Sequence, residues 1–198
     1  MNVKLQFDIE FLGGTYFHDA LHLNSYSVTI NMLTQTTNAD STNVAMERLR
    51  CFITNDLENT VFFGPNNQEE AELFRMLGTN VTTLPEEPVD QIIGLMLYCK
   101  LNAIMQGRIV ISNLGITSTA GGVWFNLDED DALGPFAQPG WWQEPTVQHN
   151  NLPEPESESA ENVVRVKPSP WIEYGLLWPE ERQEHQNNTV AYPEFGKK

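Results

Sequence analysis

Four histidines, two cysteines and a surplus of carboxylates are the residues of this 198-residue chain whose types could do chemistry. His18 and His22 stand close together. Neutral imidazoles suit zinc, but a tetrahedral site needs further donors. The other two, His149 and His185, lie far along the chain, so the early pair is expected at a surface or turn and no metal site is assigned. Cys51 and Cys99 sit in apolar runs, the setting of buried free thiols rather than of a nucleophile or a disulfide. Glu86, Glu87 and Asp90 cluster where a helix begins. Paired carboxylates can perform acid–base work or hold a cation, but the helix dipole favours acids there without any such role. Asp128-Glu129-Asp130-Asp131 lacks the alternating spacing of a calcium loop. Thr117–Gly122 is flexible enough for a phosphate loop, yet lacks the Gly-Lys-Ser/Thr ending and precedes a strand instead of a helix. Ser112 and Ser118 have no His and Asp partners in the expected contexts. No catalytic residue and no cofactor is expected.

The formal charge of −16 narrows the partners. Up to Asp131 there are 17 acidic residues against six basic ones, and no Lys/Arg cluster exists to neutralise phosphates. Direct nucleic-acid binding and attraction to an anionic membrane are therefore disfavoured. The N-terminus alternates instead of forming a signal peptide's apolar block, and no run reaches membrane-spanning length. Cytoplasm is the expected location.

The elements that would position these groups follow from periodicity. Val3, Leu5, Phe7, Ile9 and Phe11 alternate with polar residues, and Tyr26, Val28, Ile30 and Met32 do so again. A period of two predicts two half-buried strands, paired as an antiparallel hairpin with a long connection, since Gly13-Gly14 interrupts the first run. Ser41 or Thr42 caps a predicted helix over about 42–57, with Ala45, Leu49, Phe52 and Ile53 on one side. A shorter helix is predicted over 67–77, and Pro88 opens a longer one to about 105 whose broad apolar face suits burial between a sheet and a neighbour. Strands return at 108–114 and 122–127. The expected fold is α+β, an antiparallel sheet of about four strands with two or three helices on one face, in the order β-β-α-α-β-β.

Beyond Asp131 the composition changes: nine of twelve prolines and four of five tryptophans follow residue 132. The chain is expected to divide into an α+β core, 1–131, and an extended Pro/Trp-rich tail, 132–198. Exposed aromatics are costly unless covered. Trp141, Trp142, Trp171, Tyr174, Leu177 and Trp178 are therefore the expected partner-binding residues, either against this domain's own sheet or as anchors on another chain.

The order and lengths of these elements resemble the tunnelling fold of 6-pyruvoyl- and 6-carboxy-tetrahydropterin synthases over about residues 1–127. Where those enzymes carry His-Gly-His-Asn-Tyr, this chain reads His22-Leu23-Asn24-Ser25-Tyr26. Where they carry Leu-Asp-His after the first helix, it reads Leu57-Glu58-Asn59. Pro88-Val89-Asp90-Gln91 stands where their second helix starts, and Ser112-Asn113 where a Glu-Thr anchors the pterin. The resemblance implies the fold and a ring-shaped homo-oligomer, because such sheets leave open edges. It also implies a pterin- or purine-like ligand site lined by His22, Asn24, Glu58 and Asn113. Of the zinc histidines of those enzymes only His22 survives as a candidate, with His18 a poor second, and the thiol and the paired carboxylate are absent, which argues against their activity.

The leading expectation is a non-catalytic interaction or structural protein that binds a protein partner or itself through an oligomeric acidic core and an aromatic arm. Such a composition also suits a virus-encoded accessory or virion protein, placed in host cytoplasm or the virion. The alternatives are a pterin- or purine-binding enzyme of the tunnelling fold and an acidic mimic of DNA.

Overall fold

A computed structural model describes residues 2–119, 121–126, 133–147 and 170–182. Residues 148–169 and those after 182 lie outside this set, as do Asp128–Asp131. Alternation begins the fold. Strand β1 (Lys4–Phe17) pairs with β2 (Ala20–Thr34) antiparallel, from Lys4 opposite Leu33 to Phe17 opposite Ala20. The connection is only His18-Asp19, with φ of 50° and 57°. Two residues of positive φ make the tight turn whose twist matches the hairpin, which replaces the expected long connection.

Gly13-Gly14 does not interrupt β1, and the reason is crowding. A Cβ on Gly13 would lie 3.0 Å from the Thr60 carbonyl oxygen and 3.3 Å from the Tyr26 ring. Glycine here lets a neighbouring backbone approach closely. Gly13→Ala is expected to cost about 1–3 kcal/mol by overpacking. Urea denaturation measures it, and an unchanged midpoint would mean that the strand relaxes freely.

The neighbour is strand β3 (Thr60–Phe63), parallel to β1, and β4 (Asn80–Thr83) lies parallel to β3. These two were not expected from the sequence. β5 (Ile109–Ser118) pairs with β2 and β6 (Gly121–Asn126) with β5, both antiparallel. The sheet is thus mixed and six-stranded, in the order β4-β3-β1-β2-β5-β6, within the expected α+β class.

Helix α1 (Ala39–Phe52) starts earlier than expected, because the Asn38 side chain accepts from the Asp40 and Ser41 amides at 2.9 and 3.4 Å. It continues into a π turn, Ile53–Leu57. Helix α2 (Gln68–Met76) has the expected acidic first turn. Helix α3 (Asp90–Met105) buries Ile92, Ile93, Met96, Leu97, Leu101 and Ile104 and ends with Gln106 and Gly107 at positive φ.

Two helices, α1 and α3, share one face as expected, and α2 takes the other. Phe62 joins the main core with Phe11, Tyr26, Ile30, Leu49 and Met96 beneath α1 and α3. Val61 and Phe63, which point the other way by alternation, form a second cluster with Ala71 of α2, Val81, Tyr16 and Phe74. Helix α2 therefore covers the opposite face of the β3–β4 edge.

The described parts of 133–182 contribute to the main core. Phe136, Trp142, Val147, Trp171 and Trp178 are buried in it. Two 3₁₀ turns, Gly134–Ala137 and Trp141–Gln143, lie over α3, and the short α4 (Pro170–Glu173) follows in sequence. The broad apolar face of α3 is thus sandwiched as its sequence implied.

Candidate functional site

Strand alternation carries the inner face of the hairpin past the helices. Tyr26, Asn24 and His22 lie on one side of β2, opposite Phe11, Gly13 and Thr15 of β1. There the sheet opens into a cleft of about 940 Å³. Its walls are Thr15, Phe17, His22 and Asn24 from the hairpin, Pro88–Gln91 from the start of α3, and Thr119 with Gly121–Val123 from the β5–β6 turn.

Hydrogen bonds tie these walls together. The Asn24 amide nitrogen donates to the Tyr26 hydroxyl at 3.2 Å, and its oxygen accepts from the Thr119 hydroxyl. Ser118 donates to the Asp90 carboxylate at 2.8 Å, giving that serine an acidic partner the sequence did not reveal. Burial pushes the Tyr26 phenol up to about 12, so it stays protonated and neutral at physiological pH. His22 is exposed and Asn24 half-buried, so both are accessible to a ligand.

Only two of the four expected ligand-binding residues meet here. Asn113 lies outside the cleft lining and accepts from the Asn31 amide at 2.5 Å on the other sheet face. Between Asn31 and Met32 the β2–β5 register shifts, leaving Ser112 without an opposite residue. A bulge of this kind reverses the facing of the residues beyond it. Counted from Ile109 and Ile111, Asn113 would face inward; the bulge turns it outward. Glu58 follows the π turn, its carbonyl accepting from Asn80 at 3.1 Å, and is likewise absent from the cleft lining. Among the described residues, no group of three or more His, Cys, Asp or Glu is placed to hold a metal ion. No helix among them is long and apolar enough to cross a membrane.

Of the expected partner-binding residues, Trp142, Trp171 and Trp178 are buried within this chain, while Trp141 and Leu177 are half-buried and Tyr174 is exposed. Each indole nitrogen has an intramolecular acceptor. Trp171 donates to the Pro145 carbonyl at 2.8 Å, Trp178 to the Gln106 side chain at 2.9 Å and Trp141 to the Thr83 carbonyl at 3.2 Å. Trp142 reaches the Phe136 and Gln138 carbonyls.

Three buried charged residues escaped the sequence reading. Arg48, 1% exposed, donates to the Leu176 carbonyl at 2.8 Å and pairs with Glu181; its guanidinium lies 3.9 Å from the Trp178 ring centre and 4.8 Å from that of Trp171. Lys100, also 1% exposed, donates to the carbonyls of Trp141, Glu144 and Thr146 at 2.9, 2.9 and 2.5 Å. Burial pulls its ammonium down to about 8, against the pull of Glu144 and Asp56. Asp56 is 9% exposed, and burial pushes its carboxyl up to about 7. The available signal was a lone charge inside an apolar helical run, Lys100 between Cys99 and Leu101; Arg48, in a run that also holds Glu47 and Arg50, gave no such signal.

No protein-family model matches the sequence, and no curated protein matches it. Among solved structures, the chain is similar to the uncharacterized protein WS1659 from Wolinella succinogenes, with a TM-score of 0.50 at 10% identity, covering 65% of this chain and 99% of that one. It is also similar to 6-pyruvoyltetrahydropterin synthase from Plasmodium vivax, with a TM-score of 0.40 at 12% identity, covering 64% of this chain and 99% of that one. What the likeness shows is a shared fold: 65% of this chain matches nearly the whole length of WS1659.

Proposed function

We propose that this chain is a non-catalytic binding protein that acts by associating with a protein partner or with further copies of itself. The observation that supports this reading is the chemical make-up of the cleft. It holds one imidazole, His22, and one carboxylate, Asp90, which Ser118 already engages. The thiols lie elsewhere: Cys51 is on α1, and Cys99 is buried in α3 with its pKa pushed up to about 11. A thiol that acidic only above pH 10 is a poor nucleophile or base near neutrality. The remaining cleft groups are amides, hydroxyls and apolar surface, suited to recognition rather than to proton transfer. Self-association is favoured by the two edges of the sheet, β4 and β6, each with one side unpaired among the described residues. Trp141, Tyr174 and Leu177, which keep surface open, are the aromatic-arm residues left for a partner.

A second reading treats the cleft as a pterin- or purine-binding site, since its volume and mixture of apolar and hydrogen-bonding walls suit a small planar ligand. One experiment separates the two. Purified full-length protein is measured for zinc and screened by thermal shift against pterins and purines, with its mass in solution followed against concentration. The expected result is far less than one zinc per chain, no stabilisation by either ligand class, and a mass that grows with concentration. Stoichiometric zinc or a saturable Tm increase with a pterin would overturn the non-catalytic reading.

A further inference from the structure

The hairpin's outer face, turned away from α1 and α3, ends in leucines where a solvated strand face would carry polar groups. By alternation Leu12, Gly14 and Tyr16 of β1 share that face with Leu21 and Leu23 of β2, which stand opposite Tyr16 and Gly14. A Cβ on Gly14 would lie 3.1 Å from the Leu21 side chain and 3.6 Å from that of Leu23, so the glycine leaves a gap between the two. Helix α2 forms the facing wall. Glu70, Leu73, Phe74 and Leu77 follow the i, i+3, i+4, i+7 spacing of one helical stripe. Between hairpin and helix lies a groove of about 460 Å³, whose lining includes Leu12, Gly14, Leu21, Leu23, Val61 and Phe74. Its rim at Leu21, Leu23 and Asn24 is shared with the cleft.

A single exposed leucine is ordinary on a protein surface, but a cluster is not. Leu12, Leu21, Leu23, Leu73 and Leu77 are all exposed, Leu23 by 77% and Leu77 by 73%. The charge around them is of one sign. Glu10 is exposed two residues before Leu12, on the same strand face. The Tyr16 phenol, stacked on Phe63 and edge-on to Phe74, is held above its ordinary pKa by burial first and then by the Glu70 and Asp19 carboxylates. Both acids therefore stand near the groove. Among the described residues no lysine or arginine lines it. Arg75 lies on the other side of α2, where it pairs with Glu72 and borders Trp141, and Lys4 is at the far end of β1.

The backbone beneath the groove restricts the form of an occupant. Gly13 and Gly14 are paired with β2 on one side and β3 on the other, so they offer no free N–H or C=O to an extended peptide. An occupant must satisfy its own backbone, as a helix does. A second copy of this face is a poor fit, because a symmetric contact would set these acids against their own kind.

We propose that the groove docks a basic amphipathic helix of a protein partner, its apolar side chains entering between the hairpin and α2 and its lysines or arginines facing Glu10, Asp19 and Glu70. This rests on the reading of the chain as a binder of proteins and names the partner's chemistry.

The test titrates full-length protein into three labelled synthetic peptides and follows fluorescence anisotropy at physiological salt. One is a leucine–lysine helix with leucines at i, i+3, i+4, i+7 spacing. The second has the same composition scrambled to remove the apolar stripe, and the third has glutamate in place of lysine. The expected result is binding of the first about tenfold or more tighter than the second, and none of the third. Leu23→Asp and Leu77→Asp should each weaken it by about tenfold while keeping the wild-type Tm, since both side chains are exposed. Should either lower the Tm, Glu70→Lys, which alters only the rim, takes its place with the same expected loss. Equal binding of the first two peptides, binding indifferent to these substitutions, or no saturation by about 1 mM would sink the proposal. A mass that grows with concentration in wild type but not in Leu23→Asp would give the groove to a second copy instead. Zinc, pterin and mass measurements on wild type do not depend on the peptides, so this proposal and the reading beneath it fail separately.

Discussion

Trp178→Ala is expected to lower the stability of the chain by about 3–5 kcal/mol, the range for deleting a fully buried large aromatic. Trp178 is 1% exposed, lies against both the Arg48 and Arg108 guanidiniums, and donates to Gln106. Its removal opens a cavity and strands the Gln106 acceptor. It also leaves Arg48, fully buried within the core, without the ring it rests on. Arg48 is a cation at neutral pH even though burial lowers its pKa to about 10. A desolvated cation–π contact is worth about 2 kcal/mol, so a double-mutant cycle with Arg48→Met should return a coupling of about 1–2 kcal/mol. Trp178→Phe keeps the stack but loses the indole hydrogen bond and should cost about 1 kcal/mol more than the packing loss alone. Urea denaturation reads the wild type and all four variants. A Trp178→Ala variant within 1 kcal/mol of wild type would show that residues 170–182 do not hold their place against α1 in solution.

Asp56→Asn is expected to change the pH dependence of stability instead. Burial raises the Asp56 carboxyl from 3.8 to about 7, with Lys100 pulling the other way. Between these two values the folded chain holds a proton that the unfolded chain has released. Stability contributed by this residue is therefore greatest below about pH 4 and declines as pH rises to about 7. At about 1.4 kcal/mol per pKa unit the whole change is roughly 4 kcal/mol. Asparagine titrates nowhere in this range but must bury its own amide, at about 1–3 kcal/mol. At pH 7.5 the variant should thus exceed wild type by about 2 kcal/mol, and the difference should vanish or reverse by pH 4. Midpoints of urea unfolding at half-unit steps of pH check this. Parallel curves for the two proteins would mean that Asp56 is ionised at ordinary cost in the folded chain, with a water or a counter-charge at its open oxygen.

Both predictions turn on tertiary contacts that local sequence patterns do not expose. What the sequence determined by itself is what depends on neighbours along the chain. Val3–Phe11 and Tyr26–Met32 alternate, so their strands and buried faces could be read directly, and α2 and α3 announced themselves through an acidic first turn and a broad apolar stripe. His22 and Asn24 reached the cleft for the same reason: they continue the inward phase of Tyr26 by steps of two. The aromatic content after residue 132 likewise required burial, although it did not say against what.

Tertiary structure decided the rest, because the relevant interactions join distant segments. Thr60–Phe63 is buried at all four residues, so no alternation marks it as a strand; it becomes one by pairing with β1 and β4. The bulge at Ser112 depends on β2 lying opposite and reverses the facing of Asn113, which order along the chain had placed in the ligand site. Arg48 and Lys100 are buried only because carbonyls from residues 141–176 come to meet them. Periodicity along a chain reports which side of an element is apolar; which element covers that side, and which charge it can satisfy there, is set by contacts that loop closure brings together.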